Sequence, residues 1–153
     1  MIYTVVFSAV AVTAQQDLFE IVSAATQITI VHDLTLTQST EIGDAMEEGL
    51  SILVKSGQTT TGSGGTTPTA IPRLFLGSAY AGTPKVNNTT KATAGTIVTH
   101  HAWNWNVRVP FQYIWTPETR PIISPSRRFT IELATTPADS ITISGTLTIE
   151  SIG

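Results

Sequence analysis

Apolar and polar residues alternate with a period of two along most of the chain, and this pattern constrains the fold more than any other feature. In the segment 28–38 (ITIVHDLTLTQ), Ile30 and Leu34 fall on one side of an extended chain, and Thr29 and Thr35 fall on the other. Because successive side chains of a β-strand point to opposite faces, this segment is predicted to be a half-buried strand. Segments of the same character, rich in Thr, Ile and Val, are 1–16, 18–22, 50–56, 95–109, 111–115, 128–134 and 140–150.

Turn-forming residues separate these segments. Gly, Pro, Asn and Ser cluster at 57–72, 82–84, 87–88, 117–125 and 137–139. The one helical candidate, 41–50, is interrupted by Gly43 and Gly49 and amounts to a turn of helix at most. Without crossover helices the strands must be antiparallel. The sequence therefore predicts an all-β fold of about eight strands, either a sandwich or a Greek-key barrel.

Few residues of the chain are charged. Asp, Glu, Lys and Arg make up 12% of the 153 residues, against ~25% in an ordinary globular protein, and the formal net charge is −3. A protein that binds the phosphate backbone needs dense Lys and Arg, so no nucleic-acid partner is expected. The absence of Cys excludes thiol chemistry, disulfides and Cys-ligated zinc. A chain of this length buries a core without such links, which predicts one domain over 1–153.

The N-terminal run MIYTVVFSAVAVTAQQ is apolar but lacks the basic residues that open a secretory signal. Its apolar stretch is also far shorter than the ~18 residues that indicate a membrane span. We therefore expect a β-strand here and no membrane partner.

The segment 57–72 (GQTTTGSGGTTPTAIP) has glycines at the spacing that opens a phosphate-binding loop. However, Ser63 and Gly64 stand in place of the Lys that neutralises phosphate and the hydroxyl residue that binds magnesium. Pro68 and Pro72 follow where a helix should begin. The segment is therefore predicted to be a long flexible loop within the single domain, which projects from the body and becomes ordered on a partner.

No constellation of residues in the sequence predicts catalysis. His100 and His101 are neighbours on a predicted strand, so their side chains point to opposite faces and cannot chelate one ion there. The same holds for His32 and Asp33, although a site assembled from separate strands stays open. No G-x-S-x-G nucleophile elbow occurs, and the acidic group at 41–48 lacks the ligand order of a calcium loop. The sequence predicts a protein that is not an enzyme and binds no metal or cofactor.

Two Trp residues offer the sharpest binding hypothesis. Trp103 and Trp105 are two residues apart on a predicted strand and so share a face, with Asn104 and Asn106 on the other. Such a pair of rings could form a platform that stacks on a sugar. Alternatively, the rings fill the core or an interface between subunits, where aromatic side chains contribute most per residue. The second interpretation is favoured.

The parts of the chain follow one another in a recognisable order. An N-terminal strand precedes AQQDLFEI, ITIVHDLTLTQSTEIGDAMEEGLSILVKSG and the loop rich in Gly, Thr and Pro, and then come VNNTTKATAGT, FQYIWTPETRPIISPSRRFTIEL and a closing SGTLTIES. This order resembles that of a group of small all-β structural proteins of tailed bacteriophages, the head decoration or cement proteins. The likeness covers nearly the whole chain. It implies an antiparallel β-sandwich of jelly-roll type with about eight strands.

The resemblance also implies a function. It indicates a structural virion protein, made in the cytoplasm of a host bacterium, that lies on the outer surface of the capsid and bridges subunits of the major capsid protein. Such proteins often act as trimers, so a homotrimer is expected. The alternative is a carbohydrate-binding β-sandwich on the virion surface that serves host attachment, and a hydrolase ranks last. Candidate contacts with the capsid or between subunits are Trp103, Trp105, Arg108, Tyr113, Trp115, Arg120, Thr66 and Thr67.

Overall fold

The computed structural model describes residues 1–43 and 47–153, and these residues form strands, turns and coil but no helix. Accordingly, no described helix could cross a membrane. The strands are β1 (Ile2–Val12), β2 (Gln16–Val22), β3 (Ile28–Gln38), β4 (Gly49–Thr60), β5 (Ile71–Pro72), β6 (Thr83–Asn88), β7 (Thr93–Asn106), β8 (Phe111–Ile114), β9 (Ile122–Ile123), β10 (Arg128–Leu133) and β11 (Ile141–Ile152).

Two antiparallel sheets pack face to face as a β-sandwich. The first sheet has the order β5-β1-β11-β3-β8, with β9 also paired to β3, and the second has the order β6-β2-β10-β4-β7. The prediction of an all-β antiparallel fold is confirmed. The described residues form eleven strands, where the sequence predicted about eight. Two of the additional strands, β5 and β9, are only two residues long, which is too short for a pattern of period two to reveal.

The core lies between the two sheets and is built by the alternation that the sequence displays. In β1, Tyr3, Val5 and Phe7 are buried while the residues between them are more exposed. The ring of Phe7 packs against Phe19 of β2, with 5.1 Å between the ring centroids. Gly145 of β11 makes room for this pair, because a Cβ atom there would lie 2.6 Å from the Phe7 ring. Close packing of this kind leaves no space for an added methyl group.

A β-bulge divides β3 into two parts that bury opposite phases of the alternation. β3 has one residue more than β11 where Thr148 and Ile149 face it, and the extra residue is His32. One inserted residue reverses the phase. Leu34 is therefore fully buried, whereas Ile30 lies on the outer side and is half-buried. The prediction that Ile30 and Leu34 share one face is wrong for this reason.

The segment predicted as the long loop is bound to the body of the sandwich. Its first residues extend β4 to Thr60, and its last two form β5. Between them, Thr66 exchanges two backbone hydrogen bonds with Val86 of β6, at 3.0 and 2.9 Å. Ser63 pairs in the same way with Thr90. The segment therefore lies along the edge of the second sheet instead of projecting from it, because its backbone supplies the hydrogen bonds that an edge strand leaves open.

The predicted turn of helix over 41–50 is only partly described. Residues 44–46 lie outside the described residues, and Ile42 and Gly43 form a turn. Gly49 and Leu50 already belong to β4.

Candidate functional site

An aromatic cluster closes one side of the sandwich, where β7 at the edge of the second sheet meets β8 at the edge of the first. Trp103 packs against Tyr113 with ring centroids 4.6 Å apart, and it stacks on His101 at 5.2 Å and an interplanar angle of 10°. Trp115, which follows β8, meets Tyr113 edge-on at 5.1 Å and is 1% exposed. Trp105, the next inward residue of β7, is 2% exposed. These rings fill the gap between the two sheets.

Hydrogen bonds from the indole nitrogens hold the cluster in place. Nε1 of Trp115 donates to Nε2 of His101 over 3.1 Å, and Nε1 of Trp105 donates to the carbonyl oxygen of Val109 over 2.7 Å. Nε2 of His101 can accept only if it carries no proton. Burial, and then the neighbouring His100, lower the pKa of His101 and so favour the neutral ring. His101 is thus an acceptor within the cluster at neutral pH.

The two indole rings proposed as a sugar platform do not form a continuous surface. Trp105 is buried, which confirms the interpretation of this residue as part of the core. Trp103 is half-buried, and one face of its ring is stacked on His101. A sugar would find at most part of one ring.

The other predicted contact residues are scattered over the molecule. Arg108 is exposed in the turn after β7, and Arg120 is half-buried in the segment before β9, where its Nε has no hydrogen-bond partner. Thr66 and Thr67 are exposed beside β6, at the opposite edge of the second sheet from β7. The predicted contacts therefore do not form one surface.

A cluster of charged side chains lies on the outer side of the second sheet, beneath the segment 61–66 and residues 89–92; its carboxylates are buried and its Lys and Arg side chains are partly exposed. Sequence reasoning missed it, although the small number of charged residues made each of them worth tracing. We call it the buried charge cluster; its members are Asp17, Glu20, Lys55, Lys85, Lys91, Arg128 and Glu132.

Glu20 binds the covering segment directly. Its Oε2 accepts hydrogen bonds from the backbone nitrogen of Gly62 at 3.0 Å and from Nδ2 of Asn88 at 2.7 Å. Its Oε1 lies 3.4 Å from Nε of Arg128, whose guanidinium also donates to Oγ1 of Thr61. Burial raises the pKa of Glu20 despite these partners. The buried carboxyl thus ties Gly62 to the sheet directly, and Arg128 ties Thr61.

The pKa values of the two other acids of the cluster are shifted in opposite directions. Burial raises the pKa of Asp17 to about 7, although its Oδ2 accepts a 2.7 Å hydrogen bond from the backbone nitrogen of Ala92. Burial also acts to raise the pKa of Glu132, but the ammonium groups of Lys55 and Lys91, at 2.7 and 2.9 Å, outweigh it and leave this pKa below its ordinary value. The cluster therefore fixes the segment around residue 92 as well.

We call the outer face of the first sheet the open face. Its few charged residues are bound locally: Nε2 of His32 lies 2.9 Å from Oε2 of Glu150, and Asp33 accepts a hydrogen bond from Thr148. Exposed apolar side chains from six strands lie on it. They are Ile2, Val6, Ile28, Ile71, Ile114, Ile122 and Ile152, with exposed fractions from 39% to 66%.

Beside β5, at the edge of this face, a tight turn carries three exposed apolar side chains. Leu74 is 62% exposed, Phe75 88% and Leu76 89%. The backbone nitrogen of Gly77 donates to the carbonyl oxygen of Leu74 over 2.8 Å and closes the turn, and that of Arg73 donates to Ile2 of β1. We call residues 73–77 the apolar turn. Its sequence, RLFLG, contains the signal, three consecutive large apolar residues before a glycine.

Three carboxylates come close to one another at the end of the sandwich that contains the start of β4. Ligand oxygens of Glu41, Glu48 and Asp139 lie within 4.8 Å of one another, and Oε1 of Glu48 accepts a 2.6 Å hydrogen bond from the backbone nitrogen of Ala138. Carboxylates are ligands that Ca²⁺ and Mg²⁺ prefer. Three oxygens fall short of the six to eight that calcium takes, so the group by itself does not define a metal site.

A cavity of about 220 Å³ opens between the two sheets beside β9, and we call it the edge cavity. On its lining, Oγ of Ser56 lies 2.7 Å from Nε2 of His100, the distance between a nucleophile and its base. A catalytic base of this kind is oriented by a third group, usually a carboxylate. The lining contains no Asp or Glu, so the pair is not a catalytic triad. The lining residues are Ser56, Gly57, His100, Pro121, Ile122, Ile123, Ser124, Arg127, Arg128 and Phe129.

No protein-family model, curated protein or solved structure matches the chain.

Proposed function

We propose that the protein is a structural virion protein that decorates the outer surface of a tailed-bacteriophage capsid. In this role it bridges neighbouring subunits of the major capsid protein and acts as a homo-oligomer, most simply a trimer. The observation that carries the proposal is the open face, on which seven branched apolar side chains are exposed on one side of the sandwich. The strand registers place Thr residues and the His32–Glu150 pair between these side chains. A surface that exposes this many large apolar side chains is typical of a protein–protein interaction site.

The strand order supports a jelly-roll assignment. When the two-residue strands β5 and β9 and the six-residue edge strand β6 are set aside, eight strands remain, in the orders β1-β11-β3-β8 and β2-β10-β4-β7. In these orders the first strand pairs with the last and the second with the last but one, as two nested Greek keys require. Jelly rolls occur in viral capsid proteins and in lectins, so the fold is compatible with the proposal without demanding it.

The open face has the dimensions of a specific interface. It spans five strand positions, roughly 24 Å at ~4.8 Å per strand, and its longest strands extend roughly 36 Å at ~3.3 Å per residue. One side of a standard protein interface covers about 800 Å². The face is also poor in free charge, because its charged residues are bound to neighbours on the same face. Docking on another protein would cover these groups with hydrogen-bond partners already in place, which offsets part of the desolvation cost.

The mechanism is stabilisation by mass action. A protein that binds the assembled capsid lattice and not its separate subunits stabilises the lattice by the free energy of binding. If each copy bridges more than one capsid subunit, many modest contacts add up through avidity. No bond is made or broken in this role.

Binding to capsids tests the proposal. Capsids that lack the protein are mixed with it and sedimented, and we expect saturable binding at a copy number that matches the capsid lattice. Val6→Asp and Ile28→Asp place a charge on the open face and should abolish binding without loss of the β-sheet circular dichroism spectrum. Val109→Asp changes an apolar residue outside the strands of this face, 59% exposed against 46% for Val6 and 40% for Ile28, and serves as the control. Absence of binding by the wild-type protein would contradict the proposal.

The carbohydrate-binding alternative has less support in the geometry. Trp105 is buried, and the ring of Trp103 is partly covered by His101 and Tyr113. A glycan array separates the two functions: specific binding of a sugar that is lost in Trp103→Ala would favour the alternative.

A further inference from the structure

We propose that copies of this chain associate head to tail, with the apolar turn of one copy inserted into the edge cavity of the next. This inference deepens the proposed homo-oligomer by naming its interface, and it does not depend on binding to a capsid. It is carried by an unusually exposed projection, a cavity that fits it, and the position of the two on the sandwich.

The apolar turn is built to project. Phe75 and Leu76 occupy the two central positions of the turn that Leu74 and Gly77 close, and both are almost fully exposed. Leu76 has a φ of 59°, in the left-handed region that glycine and asparagine favour and that a bulky residue rarely adopts. The base of the turn is anchored, because Nε of Arg73 donates to Oγ1 of Thr4 over 3.0 Å. A strained and anchored turn that presents apolar side chains to solvent has no role in the core of its own chain.

The edge cavity offers a matching receptor. Its volume of about 220 Å³ exceeds the cavity of about 150 Å³ that is known to hold a benzene ring, so a phenyl side chain fits. Phe129 and Ile123 are the buried part of its lining, and Ile122 is an exposed apolar wall. Arg127 is exposed on the same lining, where a guanidinium can stack on an inserted aromatic ring.

The two features lie at opposite edges of the first sheet. The apolar turn follows β5, which pairs with β1 at one edge, and the cavity lies beside β9, which pairs with β3 near the other. Four strand spacings separate β5 from β9, roughly 19 Å at ~4.8 Å each. Because the turn is held at its base on β1, it cannot enter the cavity of its own chain. It can enter that of a neighbour placed edge to edge.

A projection and a receptor at opposite edges define a heterologous interface. Each copy then uses its turn toward one neighbour and its cavity toward the other, which generates a ring when the rotation between copies closes. A trimer is the smallest such ring.

Mass measurement by light scattering tests the interface. We expect the wild-type protein to have a multiple of the 16.3 kDa chain mass and Phe75→Ser to have the mass of one chain. Ser124→Trp, which fills the cavity from an exposed position, should also be monomeric. Leu76→Gly removes the side chain and relieves the strained φ, so it should dissociate the oligomer and yet melt no lower than the equally monomeric Phe75→Ser. Val109→Ser and Ser140→Trp, at exposed positions outside both features, are the controls and should keep the wild-type mass.

A mixing experiment distinguishes this interface from any symmetric one. Phe75→Ser retains an intact cavity and Ser124→Trp retains an intact turn, so one good contact exists between the two variants. An equimolar mixture should form pairs of one copy each. A monomeric wild-type protein, an unchanged mass for Phe75→Ser, or a mixture that stays monomeric overturns the inference. A monomer that still binds capsids would overturn the interface and leave the proposed function standing, and an oligomer that ignores capsids would do the reverse.

Discussion

The two outer faces of the sandwich differ in the side chains that they carry and in how those side chains meet solvent. The face of the second sheet carries Asp17, Glu20 and Glu132, and it is covered by backbone segments that its carboxylates hydrogen-bond. The face of the first sheet exposes Ile and Val side chains among Thr residues. On the second sheet, carboxylates are buried under backbone segments. On the first sheet, large apolar side chains are exposed. Exposed apolar side chains favour association, which is why the open face is the binding surface in the proposed function.

The distribution of positive charge strengthens this contrast. The chain has eight Lys and Arg residues, and four of them, Lys55, Lys85, Lys91 and Arg128, belong to the buried charge cluster. Half of the cationic side chains are therefore paired on the covered face, where they remain partly exposed. Substitutions should consequently affect folding on the covered face and association on the open face.

The largest effect is expected for Glu20→Ala. The substitution leaves the Gly62 nitrogen, the Asn88 amide and the Arg128 guanidinium without their carboxylate partner. Loss of one partner of a buried charged pair costs roughly 3–5 kcal/mol, which urea unfolding measures as a lower midpoint. Glu150→Ala on the open face is the matched control, and for its partly exposed pair with His32 the change should be about 1 kcal/mol or less. Equal effects of the two substitutions would remove the distinction between the faces.

The next largest effect is a pH dependence due to Asp17. Its pKa is raised to about 7 in the folded protein from an ordinary value of 3.8. Between these values the folded state keeps a proton that the unfolded state has released, so stability is full below pH 3.8 and falls as the pH rises toward 7. We expect the free energy of unfolding of the wild type, relative to that of Asp17→Asn, to decrease over this range by on the order of 1 kcal/mol per pH unit. Parallel profiles for the two proteins would show that Asp17 is ionised in the fold.

Gly62→Ala tests how tightly the covering segment is packed. A Cβ atom at this position would lie 2.6 Å from the carbonyl oxygen of Thr90 and 3.0 Å from Oε2 of Glu20. Overpacking of this kind typically costs about 1–3 kcal/mol. Gly49→Ala is the control, because nothing lies within 4 Å of a Cβ atom there. A segment that is mobile in the free protein, as the sequence predicted, would tolerate both substitutions equally.

The smallest effects on folding are expected on the open face. Val6→Thr and Ile114→Thr change side chains that are 46% and 66% exposed and keep the β-branch that favours a strand. Their free energies of unfolding should stay within about 0.5 kcal/mol of the wild-type value. The same variants should still weaken the proposed binding to capsids in the sedimentation experiment. A large loss of stability would mean that the face already contributes to the core of the single chain.

Local information in the chain was enough for the strands and for the class of fold. Alternation is a property of neighbouring residues, and Thr, Ile and Val favour strands wherever they occur, so the segments around β1, β3, β4 and β11 could be predicted one by one. The same reasoning gave Trp103 and Trp105 a common face, and it favoured a buried role that the structure confirms for Trp105.

Tertiary contacts determined three features: the phase reversal in β3, the buried charge cluster and the position of the segment 57–72. The phase reversal at His32 arises from pairing with β11, more than 100 residues away along the chain, and no local pattern encodes it. Asp17, Glu20 and Glu132 look like solvated acids in the sequence; they become a buried cluster only because β2, β4 and β10 are neighbours in one sheet and residues 61–66 close over them. The Gly- and Thr-rich segment was predicted to be a free loop because its composition is flexible. An open sheet edge beside it supplies the hydrogen bonds that bind it, and the existence of such an edge depends on how all the strands are ordered.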